Sequence, residues 1–149
     1  MRIIPIALFA FLACAVSGLA QDKDTGKDER AKLEGTWQIV GLTAAGKEVP
    51  NKGGPEKLTV KGGILQGLGS EMELTTDATK KPKWLDMTFQ SEGQKRTVHA
   101  IYELNGDELK ICFPLAPAKG SGKGFENKRP EGFDSKDKPE LVLKLKKAK

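Results

Sequence analysis

Apolar and polar positions alternate one for one along much of the chain. In "KWLDMTF", Leu85, Met87 and Phe89 interleave with Trp84, Asp86 and Thr88. After the turn "SEGQ", the run "RTVHAIYEL" sets Val98, Ala100, Tyr102 and Leu104 on one face and Thr97, His99, Ile101 and Glu103 on the other. "NGD" at 105–107 is a tight-turn signal, and "ELKICF" resumes the alternation with Leu109, Ile111 and Phe113. The last run, "ELVLKLKK", repeats it with Leu141, Leu143 and Leu145. Upstream, "KLTV" and "GILQ" flank Gly62-Gly63, another hairpin signal, and "EMELTT" follows. A period of two places successive side chains on opposite faces of a strand, and no stretch carries a helical stripe. The pattern predicts an antiparallel sheet with one buried face. Strands that meet in chain order remove their edges by closing on themselves. The expected fold is therefore all-β, a single antiparallel β-barrel or strongly curved sheet.

Three segments break the alternation. Residues 1–20, "MRIIPIALFAFLACAVSGLA", have a basic start at Arg2, an apolar run from 3 to 16, and small residues before the charged "QDKD". The run is shorter than the roughly 20 residues a membrane span needs, so it reads as a secretory signal peptide cut after Ala20. The expected location is periplasmic or extracellular. A lipid anchor at Cys14 is the alternative, with Phe11 where a leucine-like residue is usual. Residues 21–32 are charged and aperiodic, and read as a flexible linker ahead of a β domain at 33–147. Residues 114–139 form one long Gly-, Pro- and Lys-rich loop, long enough to be either functional or partly disordered.

Charge and cysteine content narrow the class. Lys+Arg 25 against Asp+Glu 20 gives +5, and loss of Arg2 with the signal lowers it by one. That suits weak attraction to anionic surfaces and falls short of a nucleic-acid binder. Only Cys112 remains after signal cleavage, so no internal disulfide can form, and a small apolar role in or under a sheet is the ordinary reading.

Several motifs together resemble a family of uncharacterised secreted β domains expanded in planctomycete bacteria. They are "LEGTW" at 33–37, "GKEVP" at 46–50, "KKPKWLDMTF" at 80–89, "AIYELNGDELKICF" at 100–113, "KRPEGF" at 128–133 and the terminal "LVLKLKK". The resemblance implies a calycin-like, lipocalin-like barrel and carries over no catalytic residue. Gly35 and Trp37 also resemble the opening of a lipocalin strand. Lipocalins tend to stack an arginine over that tryptophan. Here the terminal strand offers Lys144, Lys146 and Lys147, which make a poorer cation–π partner.

Candidate chemistry is sparse. "GSGKG" at 120–124 lacks the first glycine and the Ser or Thr of a phosphate loop. His99 is the single histidine, which argues against a metal site or a nucleophilic triad. Parity puts His99 and Cys112 on the outer face, where a pair between them lacks a third orienting group. Asp86 is disfavoured within a strand and asks for a partner, either a neighbouring loop, a lysine or a pocket rim. Glu71 and Glu73 read as solvated. Lys119, Lys123, Lys128 and Arg129 form a basic loop with Phe125 and little aromatic support for nucleic-acid binding.

The inward set is Trp37, Ile39, Leu58, Val60, Leu85, Met87, Phe89, Val98, Tyr102, Ile111 and Leu143. These residues either fill a small barrel or line a narrow cavity. In the second case Trp37, Met87, Phe89, Tyr102 and Ile111 are the candidate ligand-binding lining. The first functional expectation is an exported, non-enzymatic module holding a small apolar ligand, with no cofactor, no metal and no membrane span. The alternative is a structural or interaction domain with a filled core, contacting a protein or cell-envelope component.

Overall fold

The computed structural model describes residues 25–115 and 127–149. The signal segment with Cys14 and the 120–124 stretch lie outside the described residues. One helix, α1 (Thr25–Leu33), precedes nine strands: β1 (Gly35–Ala44), β2 (Lys47–Glu48), β3 (Lys57–Lys61), β4 (Ile64–Gln66), β5 (Met72–Asp77), β6 (Lys83–Ser91), β7 (Gln94–Asn105), β8 (Glu108–Pro114) and β9 (Glu140–Lys147). Apart from β2, each strand pairs antiparallel with the next, β1 with β3 and so on to β9, and β1–β9 pairing closes these eight into a barrel. The two-residue β2 only folds back on the end of β1. The fold is thus all-β, a single closed antiparallel barrel.

Turn chemistry sets the register. Gly62 and Gly63 hold φ of 59° and 77°, the left-handed pair that a two-residue hairpin between Lys61 and Ile64 needs. Opposite β9, β1 bulges between Ile39 and Gly41, which turns Val40 outward and leaves it 61% exposed.

The inward set packs the barrel. Trp37, Leu58, Val60, Leu85, Met87, Tyr102, Ile111 and Leu143 are buried in one cluster with Leu65, Leu74, Leu109 and Leu145. Each such side chain contributes about 1.5–3 kcal/mol relative to an exposed one. Ile39 and Val98 are half-buried against the cluster. Phe89 departs from expectation. It is only half-buried, because the β6–β7 hairpin outruns its neighbours: pairing with β5 stops at Thr88, and pairing with β8 stops at Ile101.

The expected linker is structured from residue 25 onward. In α1, Asp28 lies in the first turn and Arg30 and Lys32 in the last, each sign favouring the adjacent end of the helix dipole. Glu29 and Leu33, four residues apart, share the face that α1 turns to the barrel, and both are buried. One apolar residue in that face gives no readable stripe, which is why the sequence reads as a tether. The domain therefore includes α1.

Residues 127–139 of the long loop return across the outside of the barrel as a strap. Beneath it, Ile101, Cys112 and Val142 stand side by side in register on β7, β8 and β9. All three are buried, with Phe133 of the strap packed on them. Cys112 faces outward, as its parity implies, yet is fully covered. Gly46 anchors the strap's far end. Its N–H donates to Ser135 Oγ at 3.0 Å, and a Cβ there would sit 2.6 Å from the Lys136 Cα.

Candidate binding site on the barrel wall

The five candidate lining residues do not converge on a chamber. The interior void bounded by Leu33, Trp37, Leu58, Leu85, Ile111 and neighbours measures about 10 Å³, room for at most about one water. Trp37, Met87, Tyr102 and Ile111 are core, and Phe89 lies near the hairpin tip opposite Arg96. The polar atoms of the two aromatics are used internally. Trp37 Nε1 donates to the Leu33 carbonyl at 2.8 Å, and Tyr102 Oη donates to Glu29 Oε2 at 3.0 Å. Of the three terminal lysines, Lys147 lies over Trp37, 5.3 Å from the ring centre.

Glu29 closes this end of the barrel. Besides Tyr102 it binds Lys32 at 2.7 Å and Lys83 at 3.0 Å. The hydrogen bond from Lys32, with help from Lys83 and Tyr102 and against the penalty of burial, holds its carboxyl down at about 2. Burial first, then the hydrogen bond to Glu29 and its charge, push the Tyr102 phenol above its usual range. Glu34, next to the helix, accepts the N–H groups of Gly62 and Gly63, both at 3.0 Å, and so ties α1 to the β3–β4 turn.

The other polar cluster stands on the outer wall. Asp86 on β6 and His99 on β7 are direct cross-strand partners, with His99 Nδ1 3.0 Å from Asp86 Oδ1. Arg129 of the strap donates through Nη2 to the same Oδ1 at 2.7 Å and through Nη1 to the Ala100 carbonyl at 2.6 Å. Its Nη2 is also 3.2 Å from His99 Nδ1. One ring nitrogen cannot serve both neighbours: as N–H it donates to Asp86, and bare it accepts from Arg129. The Arg129 guanidinium also lies over Trp84, 4.3 Å from the ring centre, and Lys80 Nζ lies 4.9 Å from that centre. Asn127 completes the seam by accepting the His99 N–H at 3.1 Å and donating to the Thr97 carbonyl at 2.5 Å. It thereby satisfies the stretch of β7 that runs beyond β8.

Asp86 thus finds a loop partner, and that partner is an arginine drawn from what reads in sequence as a solvated basic loop. The parity of β6 leaves Trp84 outward, but nothing in the sequence says that Arg129 stacks on it. Cys112 does not join His99. Its Sγ is 3.8 Å from Glu140 Oε2, and burial, with the Glu140 charge, pushes the thiol up to about 12. Among the described residues, no hydroxyl or thiol bonds His99, and no three His, Cys, Asp or Glu side chains are grouped to hold a metal ion. No helix among them is long and apolar enough to cross a membrane.

Two depressions open on the wall among the described residues. A depression of about 250 Å³ beside Arg129 is lined by Pro114, Lys128, Glu131, Lys138, Pro139 and Glu140. A groove of about 170 Å³ runs past Val40, between Lys110, Lys144 and Lys146. Both exceed the interior void more than tenfold. No family model, curated protein or solved structure matches the chain.

Proposed function

We propose that the protein is an exported, non-enzymatic interaction domain, a solid barrel that offers its outer wall to a partner protein or a component of the cell envelope. The observation that carries this reading is the interior void of about 10 Å³, too small for an apolar ligand. Export rests on the signal-like residues 1–20 and on the resemblance to secreted β domains. The Asp86–His99 pair has an orienting partner but no nucleophile among the described residues, which favours binding over turnover.

Residues 21–149 purified from the producing cell test it by native mass spectrometry and by co-sedimentation with that cell's envelope fraction. The expected result is a clean apo mass together with co-sedimentation. A small apolar molecule that co-purifies, and is lost in folded Trp37→Phe or Tyr102→Phe protein, overturns the reading in favour of a carrier.

A further inference from the structure

We propose that Trp84, Asp86, His99 and Arg129 form a binding site for an uncharged saccharide unit. The proposal rests on the interaction-domain reading and deepens it by naming a ligand class.

Among the described residues, Val40 and Trp84 are the large hydrophobic side chains left exposed, and Trp84 is 38% exposed. Its surroundings are not those of an incidental surface indole. Arg129 stacks on the ring and is itself held by Asp86 and the Ala100 carbonyl, with its side chain only 18% exposed. The indole is therefore oriented before any ligand arrives, which lowers the ordering cost of binding. Lys80 also lies over the ring, but residue 80 is exposed and makes no ion pair among the described residues, so its ammonium can withdraw into water.

Open polar atoms surround this platform. Among the described residues, Asp86 uses Oδ1 and has no partner for Oδ2, His99 uses Nδ1 and has none for Nε2, and Trp84 Nε1 has none. Positions 84 and 86 share the outward face of β6, and His99 stands directly opposite Asp86, so their Cβ atoms are about 5 Å apart. The site thus presents an N–H donor, a carboxylate acceptor and an imidazole that can do either, spaced along a wall beside an aromatic ring. A sugar ring fits such a surface. Its C–H face packs on an indole, and each hydroxyl both donates and accepts. Asp86 and Arg129 cancel each other's charge, and the remaining cation, Lys80, sits on an exposed residue where water screens it. A wholly apolar ligand would strand the three polar groups without partners.

The test uses ¹⁵N-labelled protein of residues 21–149, whose two tryptophans give two indole N–H signals. Trp37 is buried and hydrogen-bonded to Leu33, so its signal reports the intact fold. Cellotetraose, chitotetraose, maltotetraose and mannotetraose are titrated to about 10 mM. At least one should shift the Trp84 signal in a saturable way and leave Trp37 still. Trp84→Ala and His99→Gln should each weaken binding, read on backbone amides of β6 and β7, by about tenfold or more. Three outcomes overturn the proposal: no tetrasaccharide shifts Trp84, dextran sulfate shifts it while the neutral sugars do not, or the Trp84→Ala protein binds equally well. If the sugars fail and the wild-type protein still co-sediments with envelope, the saccharide site falls and the interaction-domain reading stands.

Discussion

The barrel end and the barrel wall are built from the same kinds of part and put them to opposite ends. Each has a tryptophan, a carboxylate and cations drawn from distant segments. At the end, Glu29 satisfies Lys32, Lys83 and Tyr102 at once, and Trp37 is 1% exposed with its N–H engaged. On the wall, Asp86 and His99 each keep an atom without a partner among the described residues, as does the Trp84 N–H, and Trp84 is 38% exposed. Saturation makes a closure at the end, and the unsaturated wall is where the proposed binding site lies. The carboxylate at the end is nearly shut off from water, with Glu29 8% exposed, whereas the side chain of Asp86 on the wall is 31% exposed.

The sharpest way to break this comparison is to remove the two indoles in turn. Trp37→Ala should cost about 3–5 kcal/mol in urea unfolding, by loss of burial and the cavity left behind. Trp84→Ala should cost less than about 1 kcal/mol, because its ring is partly solvated and surface substitutions are mild. Equal losses would mean that the wall is part of the core and not a presented surface.

Glu29→Gln tests the end by pH. The folded carboxyl sits at about 2, below the 4.5 of the free group. Its contribution is therefore complete above pH 4.5 and is lost as pH falls toward 2, with a size of about 3 kcal/mol. Urea midpoints of wild type and variant should lie well apart at neutral pH and converge as the pH approaches 2. A gap that persists in acid would assign the effect to packing instead of charge.

Arg129→Ala sharpens the other side with a smaller stability effect than Glu29→Gln or about the same, and with a second readout. Losing its bonds to Asp86 and Ala100 should cost about 1–3 kcal/mol. The strap lies over Cys112, whose thiol is held up at about 12, so labelling by 4,4′-dithiodipyridine at neutral pH should be slow in wild type and faster in the variant. An unchanged labelling rate would show that Phe133, without Arg129, suffices to hold the strap down.

Much of the barrel can be read from neighbouring residues. The alternation in "KWLDMTF", "RTVHAIYEL", "ELKICF" and "ELVLKLKK" places β6, β7, β8 and β9 and assigns their faces. It also puts Asp86, His99 and Cys112 outward. The helix was not legible, since Glu29 reads as a solvated charge until Tyr102 and Lys83 close around it. Phe89 read as core by parity, and only the unequal lengths of β5, β6, β7 and β8 place it at a projecting tip. Arg129 read as one cation of a basic loop, and its stacking on Trp84 was invisible.

By itself, then, the sequence determined strands, turns and the side of the sheet that each residue faces. These follow from the two-residue period of an extended backbone and from glycine at left-handed turns, both of which are local. Tertiary structure alone decided that the described interior void shrinks to about 10 Å³, because filling depends on how side-chain volumes from eight strands add up once the sheet closes. It alone brought Glu29 to Tyr102 across 73 residues and Arg129 to Asp86 across 43. Hydrogen bonds of that span leave no periodic trace in the chain, and they distinguish the sealed end of this barrel from its open wall.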